Sequence, residues 1–220
     1  MLSANTPPFK TPLSPPDQTL IAQAVETRLS PGLVLKALTP LAGDASNRRY
    51  YRATVSGGPP HAVIVMQLAE PEGFKQSEEA VSGGIHQISE LPFINIMSHL
   101  AKAKVPVPVL HYYDQSSGLL YLEDFGDVTL AEAVSQADAP SVESRYKQAI
   151  NILVQMQVNA TTPADPGCLA FHRSFDVPLL MWEFDHFLEY GIVARRGNPL
   201  PEEDATAIRR EFEGIAELLA

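Results

Sequence analysis

Apolar and polar residues follow two different rhythms along the chain. Up to residue 122, short apolar segments rich in β-branched and aromatic residues are separated by Gly, Pro, Ser and Asp, which is typical of strands joined by turns. Beyond Asp127, apolar residues recur every three or four positions, as they do on one face of a helix. Strands followed by helices predict an α+β protein with two lobes.

The first part of the chain predicts five strands. They span residues 33–41 with an interruption at Pro40, and 49–55, 61–67, 109–114 and 119–122. The first two strands form a hairpin, and so do the last two, around a polar turn at 115–118. The third strand, His-Ala-Val-Ile-Val-Met-Gln, is apolar enough to be buried. Residues 69–92 are polar and contain a Gly-Gly break, so they predict a loop with at most one weak helix.

Six helices are predicted from the spacing of apolar residues. Asp17 begins the first, which ends at Pro31-Gly32, and Pro92 precedes the second, which ends before residues 105–108. The other four span 130–136, 142–158, 177–191 and 202–219. Asp176 is the predicted N-cap of the helix at 177–191. The last helix lacks a closing Gly, Asn or basic turn, so we expect the chain to end in the middle of its architecture.

Composition narrows the class of protein. The 220 residues carry a net charge of −10, which disfavours a nucleic-acid surface. A single cysteine, Cys168, excludes an internal disulfide framework and suits the cytoplasm. No apolar run is long enough to predict a membrane span. The Pro-rich residues 1–16 predict a disordered leader, and the pattern does not indicate an oligomeric state.

One turn carries candidate chemistry. Residues 41–55 read Leu-Ala-Gly-Asp-Ala-Ser-Asn-Arg-Arg-Tyr-Tyr-Arg-Ala-Thr-Val, with small residues between two apolar segments and two adjacent cations after them. Such a turn exposes backbone N–H groups that can hold an anion. One interpretation is therefore a cover over the phosphates of a nucleotide. The other is an ordinary hairpin with a polar tip, in which Arg48 lies on a solvated strand edge.

Several motifs resemble a known family when they are taken together and in order. They are GDASNRRYYR at 43–52, VIVM at 63–66, the helix from Phe93, LLYLEDFGDVTL at 119–130 and FDVPLLMWEFDHFLEYGI at 175–192. The sequence is similar to the aminoglycoside phosphotransferase/choline kinase-like family, especially its bacterial N-acetylmuramate/N-acetylglucosamine kinases. The resemblance implies a protein-kinase-like fold, with an N-lobe at 17–122, a hinge at 123–127 and an incomplete helical C-lobe at 128–220.

The resemblance also implies a reaction and a nucleotide site. ATP, with Mg²⁺, would pass its γ-phosphoryl group to a hydroxyl of a small-molecule substrate, a cell-wall amino sugar held by the helical lobe. The turn would cover the phosphates, backbone groups at the hinge would hold the adenine, and Met66 would end the third strand beside the nucleotide. The implied cofactor-binding residues are Gly43, Asp44, Ala45, Ser46, Arg48, Arg49, Met66, Glu123, Asp124 and Phe125.

The residues of catalysis are missing from this pattern. The family's catalytic loop is a His-x-Asp with Asn five residues later, and none of the six histidines is followed by Asp at that spacing. Asp124-Phe125-Gly126 spells a magnesium-binding motif of protein kinases, but it follows the fifth strand rather than a catalytic loop. The third strand ends Val65-Met66-Gln67, without the lysine that protein kinases pair with the phosphates there. No catalytic residue and no metal ligand is therefore assigned.

Two hypotheses about function follow. In the first, the chain is the N-terminal portion of a sugar kinase whose catalytic loop lies beyond residue 220, and the chain alone is inactive. In the second, it is a binding or regulatory module that holds a nucleotide without catalysing a reaction.

Overall fold

A computed structural model describes residues 14–42, 48–68, 90–172 and 174–220. These residues form two compact units. The first comprises the described part of Met1–Gly73 together with Pro108–Asp127, and the second comprises the described part of Phe74–Val107 together with Val128–Ala220. The predicted bounds of the N-lobe, the hinge and the C-lobe remain predictions. The predicted leader up to residue 13 and the predicted loop at 69–89 lie outside the described residues.

The first unit contains a five-stranded sheet, which confirms the predicted fold class. Its strands are β1 (Val34–Pro40), β2 (Arg49–Ser56), β3 (Ala62–Gln67), β4 (Leu110–Asp114) and β5 (Leu119–Glu123). They lie in the order β1-β2-β3-β5-β4, and every neighbouring pair is antiparallel. Pro40 does not interrupt β1 as predicted but ends it. Its missing N–H is tolerated because β1 is an edge strand.

The register of the sheet sorts its side chains onto two faces. On one face, Tyr51 and Ala53 of β2 pair with Val65 and Val63 of β3. Val55 follows on the same side of β2. We call this the core face, because these residues belong to one buried hydrophobic cluster. The opposite face carries the residues between them, listed in strand order as Arg52, Ile64, Met66, Leu120 and Leu122.

Helix α1 (Gln18–Ala24) packs on the core face. Asp17 caps it as predicted, since its Oδ1 accepts a hydrogen bond from the backbone N–H of Thr19 at 2.7 Å. Ile21 is fully buried in the cluster. The helix continues as a π-helical turn, Val25–Leu29, so the apolar stripe predicted from the sequence extends over both segments.

Two turns of the first unit touch, and the contact requires glycine. Gly57, between β2 and β3, has φ +106°. A Cβ built on it would lie 2.1 Å from the carbonyl oxygen of Gly32, in the turn after α1. No other residue type fits this approach.

The second unit is helical. It contains α2 (Pro92–Lys102), α3 (Leu130–Ser135), α4 (Ala139–Asn159), α5 (Val177–His186) and α6 (Glu202–Leu219). Asp176 caps α5 as predicted, by accepting from the N–H of Leu179 at 2.9 Å. The chain then continues beyond the predicted end of this helix through a π-helical segment, Phe187–Val193, and one turn, Ala194–Arg196. A 3₁₀ turn, Leu169–His172, lies between α4 and α5 in the chain.

Aromatic stacking joins α5 to α6. Phe184 stacks on Phe212 with their ring centroids 4.4 Å apart, and Arg209 contacts Asp185 at 2.9 Å. Trp182 on α5 is 44% exposed, and its ring lies edge-on to that of His186. None of the helices in the described part of the chain has the length and apolar character needed to cross a bilayer.

Candidate nucleotide site

The candidate site is built where β5 ends, at residues 123–127. Leu122 lies on the face opposite the core, so Asp124, two residues further on, is directed to the same side. On β2, Arg52 lies on this face too, because it pairs with Ile64, which in turn pairs with Leu122. The strand register therefore brings a cation and an anion onto one face across the width of β3.

Arg52 and Asp124 form a two-pronged ion pair. Arg52 Nε donates to Asp124 Oδ2 at 2.6 Å, and Nη2 donates to Oδ1 at 3.0 Å. Arg52 also donates to Asp127 at 2.9 Å. The side chains of Arg52 and Asp124 are only 22% and 9% exposed, whereas Asp127 is 79% exposed. Two parallel bonds to one carboxylate fix geometry as well as charge, so the Asp124 contact is the main tether.

The pair shifts the pKa of both partners in the expected directions. The hydrogen bonds from Arg52 hold the pKa of Asp124 below its ordinary value, against the opposing effect of burial, and the backbone N–H of Gly126 adds to the shift. The hydrogen bonds to Asp124 and Asp127 raise the pKa of Arg52. Both groups are therefore charged at neutral pH.

Asp124 also shapes the backbone of the segment. Its Oδ1 accepts from the N–H of Gly126 at 2.9 Å, which closes a tight turn around Phe125. Gly126 has φ +78°, a conformation that favours glycine. Glu123 is held separately, because its N–H donates to the Val109 carbonyl at 2.8 Å and its carboxylate accepts from the Val109 N–H at 3.1 Å.

A pocket of about 440 Å³ lies at this end of the sheet. Its walls combine apolar side chains with the polar start of the segment. The lining residues are Pro60, His61, Ala62, Val109, His111, Glu123, Asp124 and Gly126. The volume falls within the range of about 300–1,000 Å³ that small-molecule sites occupy.

The structure brings some predicted site residues together and separates others. Glu123 and Asp124 line the pocket, and Phe125, 68% exposed, follows them. Met66 is fully buried on the face that carries Arg52. Arg49 pairs with Gln67 near the other end of β3, and alternation places its side chain on the core face, away from Met66.

The predicted phosphate-covering turn is described only at its edges. Gly43, Asp44, Ala45 and Ser46 lie outside the described residues. Arg48, which directly precedes β2, is described and is half-buried.

Arg52 is the site residue that sequence reasoning missed. It belongs to the 43–52 motif, in which Arg48 and Arg49 were the arginines predicted to bind the nucleotide. A signal was present, since alternation in β2 places Arg52 on the face away from the apolar Tyr51, Ala53 and Val55. Its partner is 72 residues away in the chain, and no local spacing points to it.

Within the described ranges, no group of three or more His, Cys, Asp and Glu side chains is placed to hold a metal ion. Asp124, which lines the pocket, and Asp127, three residues further on, are both bound by Arg52. His172, the start of a sequence that looks like a catalytic loop with Ser in place of Asp, is in the 3₁₀ turn and contacts the Pro166 carbonyl at 2.7 Å. The following Arg173 lies outside the described residues.

Comparisons with known proteins show which family the sequence matches. The model of a family described as "Phosphotransferase enzyme family" matches residues 37–213. The chain is also similar to an N-acetylmuramate/N-acetylglucosamine kinase of Pseudomonas putida, with 29% identity over 183 residues. That match covers 83% of this chain but 44% of the relative, so the chain spans less than half the length of the kinase it matches.

Proposed function

The chain belongs to the phosphotransferase enzyme family, and from this membership we propose that it is the nucleotide-binding portion of an ATP-dependent small-molecule kinase. The family match over residues 37–213 carries the proposal, because it includes the whole sheet from β2 to β5 and the 123–127 segment. Phosphoryl transfer depends mainly on positioning the nucleotide and neutralising its charge.

The pocket beside residues 123–127 fits the base of ATP. A purine needs apolar contact on its faces and hydrogen-bonding groups along one edge. Ala62 and Val109 supply apolar walls, and Glu123, Asp124 and Gly126 line the polar end of the pocket, where their backbone is proposed to meet the edge of the base. A Cβ built on Gly126 would meet no atom within 4 Å, so space is open beside this backbone.

The turn at residues 43–49 is proposed to cover the phosphates. Backbone N–H groups in a turn of small residues can hold an anion, and the two arginines that follow add positive charge. Met66 cannot pair with a phosphate, since its side chain is neutral and buried. Phosphate binding by this chain is thus assigned to the turn, together with Arg48, the cation that follows it and directly precedes β2.

The described residues do not fit Mg²⁺. They offer no cluster of three suitable ligands, and the carboxylates of Asp124 and Asp127 are both ion-paired with Arg52. The sequence also lacks His-x-Asp. We propose that the catalytic base and the metal ligands belong to a part of the parent enzyme beyond this chain, and the 44% coverage of the P. putida kinase supports this.

The proposed acceptor is an amino sugar of the bacterial cell wall. The support is the similarity to the P. putida protein, an N-acetylmuramate/N-acetylglucosamine kinase that is 29% identical to this chain. A non-catalytic nucleotide-binding module is the second candidate, and the missing His-x-Asp motif favours it.

Transfer of radioactive phosphate separates these candidates. The 220-residue chain and the polypeptide of its extended reading frame are each incubated with γ-labelled ATP, Mg²⁺ and either N-acetylmuramate or N-acetylglucosamine. We expect labelled sugar phosphate only from the extended polypeptide. Product from the short chain would overturn the assignment of catalysis to other residues. An extended polypeptide that binds ATP but labels neither sugar would favour the non-catalytic module or a different acceptor.

A further inference from the structure

We propose that Arg52 is a positioning residue for the nucleotide base, because its guanidinium holds residues 123–127 in the shape that the base contacts. This inference rests on the proposed function, which places the base against the backbone of that segment. Arg52 was given no role by the family's motifs. The inference makes it the residue that connects β2 to the backbone proposed to bind the base.

The link starts from a rigid position. Arg52 lies in the middle of β2, paired with Thr39 of β1 on one side and Ile64 of β3 on the other. Its backbone is thus fixed by two neighbouring strands. From there the side chain reaches past β3 to Asp124, which lies just beyond the end of β5. The segment is anchored to the centre of the sheet rather than only to the strand that leads into it.

The same carboxylate transmits this anchor to the backbone. Asp124 Oδ1 accepts from Arg52 Nη2 at 3.0 Å and from the Gly126 N–H at 2.9 Å. The oxygen that Arg52 holds is therefore the oxygen that closes the turn around Phe125. Orienting this carboxylate orients the peptide groups on both sides of Phe125, which are the groups proposed to meet the edge of the base.

Burial alone does not hold the segment. Phe125 is 68% exposed and the Asp127 side chain is 79% exposed. Such exposed residues make few apolar contacts, and these are not enough to keep the segment ordered. The ion pair and the Glu123–Val109 hydrogen bonds are the tethers that the structure shows here. Because the Glu123 bonds act before the turn, the Arg52 contact is the one that acts on the turn itself.

The chemistry of the pair requires arginine. A guanidinium presents two parallel donors to two carboxylate oxygens, whereas a lysine ammonium is a point charge on a flexible stem. Lysine at position 52 would keep the charge and lose the fixed orientation of Asp124. Methionine would keep the apolar stem and lose both. These variants separate positioning from simple charge.

Calorimetric titration of ATP and GTP into the 220-residue chain tests the proposal. We expect the wild type to prefer ATP, and R52K and R52M to weaken ATP binding about tenfold, equivalent to about 1.4 kcal/mol. The two variants should also bring the ATP and GTP affinities closer together, because the misplaced backbone no longer reads the edge of the base. Arg28→Met, which removes an exposed arginine over the Tyr112 ring in the same unit, is the matched control and should keep the wild-type affinities.

The base preference distinguishes positioning from structural support. A uniform loss for both nucleotides, with the ATP-to-GTP ratio unchanged, would overturn the proposal, and so would wild-type affinities in R52K and R52M. If R52M does not fold by circular dichroism, R52K decides by the same ratio. A folded wild-type chain that binds neither nucleotide overturns the proposed function and this inference with it, whereas a wild type that binds both equally overturns the inference alone.

Discussion

The side chain of Asn95 on α2 accepts a hydrogen bond from the backbone N–H of Leu169 at 2.8 Å, across 74 residues of sequence. Its amide nitrogen donates to the Gly167 carbonyl at 2.8 Å and to Glu90 at 3.1 Å. Asn95 is 7% exposed and Leu169 is also 7% exposed. One buried amide thus satisfies both a backbone donor and a backbone acceptor of the loop that contains Cys168.

Replacing Asn95 by alanine should destabilise the second unit. The change leaves a buried N–H and a carbonyl without their partner, at a cost of about 2–3 kcal/mol in the free energy of unfolding. Urea denaturation followed by circular dichroism measures this. Asn151→Ala, at an exposed asparagine of α4, is the control and should stay within about 0.5 kcal/mol of the wild type. An equal effect of the two substitutions would show that the Asn95 contacts do not stabilise the fold.

A second prediction concerns the packing of α1 on the sheet. Ile21 is fully buried in the core cluster, whereas its neighbour Leu20 is 44% exposed. Ile21→Ala removes buried carbons and leaves a cavity, so it should lower the free energy of unfolding by about 2–5 kcal/mol. Leu20→Ala should change it by less than about 1 kcal/mol. Guanidinium titration of both variants checks the difference, and a larger loss for Leu20→Ala would place α1 on the sheet in a different rotation.

The ion pair at the candidate site predicts a dependence of stability on acid. Because the pKa of Asp124 in the folded chain lies below its ordinary value of 3.8, folding favours the ionised carboxylate. Its contribution is present above that ordinary value and is lost as the pH falls through the lower pKa of the folded state. Asp124→Asn removes this titration. The stability difference between wild type and variant should therefore shrink as the pH is lowered below about 4.

Urea midpoints of both proteins between about pH 2.5 and 6 measure this effect. The pKa values of Asp114, Asp138 and Asp165 are lowered as well, so the wild type alone cannot report on one residue. The difference between the two proteins removes the contributions they share. A difference that stays constant across the acid range would show that Asp124 has an ordinary pKa and that the pair with Arg52 is not maintained in solution.

Local patterns predicted the strands and several helix ends, because their causes are local. Alternation in β2 and the β-branched run of β3 determine which residues face the core. Asp17 and Asp176 cap helices through bonds that span two or three residues. The same chemistry was missed at Asp138, which accepts from Ser141 at 3.1 Å and so begins α4 at Ala139, three residues before the predicted start. The signal, an Asp two residues before a proline in the first turn, matches the one used at Asp176.

Contacts between distant segments could not be predicted in this way. Arg52 and Asp124 meet because β2 and β5 flank β3, and that order depends on the whole sheet. Asn95 meets Leu169 through the fold of the second unit. In both cases a polar side chain reads as an ordinary surface residue until its partner is known. The family resemblance implied a site for the nucleotide base, but it assigned roles only to the positions that match the family's motifs.

Titration of ATP into the 220-residue chain, in the presence of Mg²⁺ and with folding confirmed by circular dichroism, tests the central claim most directly. If the chain is the nucleotide-binding portion of a phosphotransferase, calorimetry should show saturable binding at one site per chain. Asp124→Asn should weaken that binding. A folded chain that shows no saturable heat with ATP would contradict the account, because the pocket beside residues 123–127 would then not be a nucleotide site in this chain.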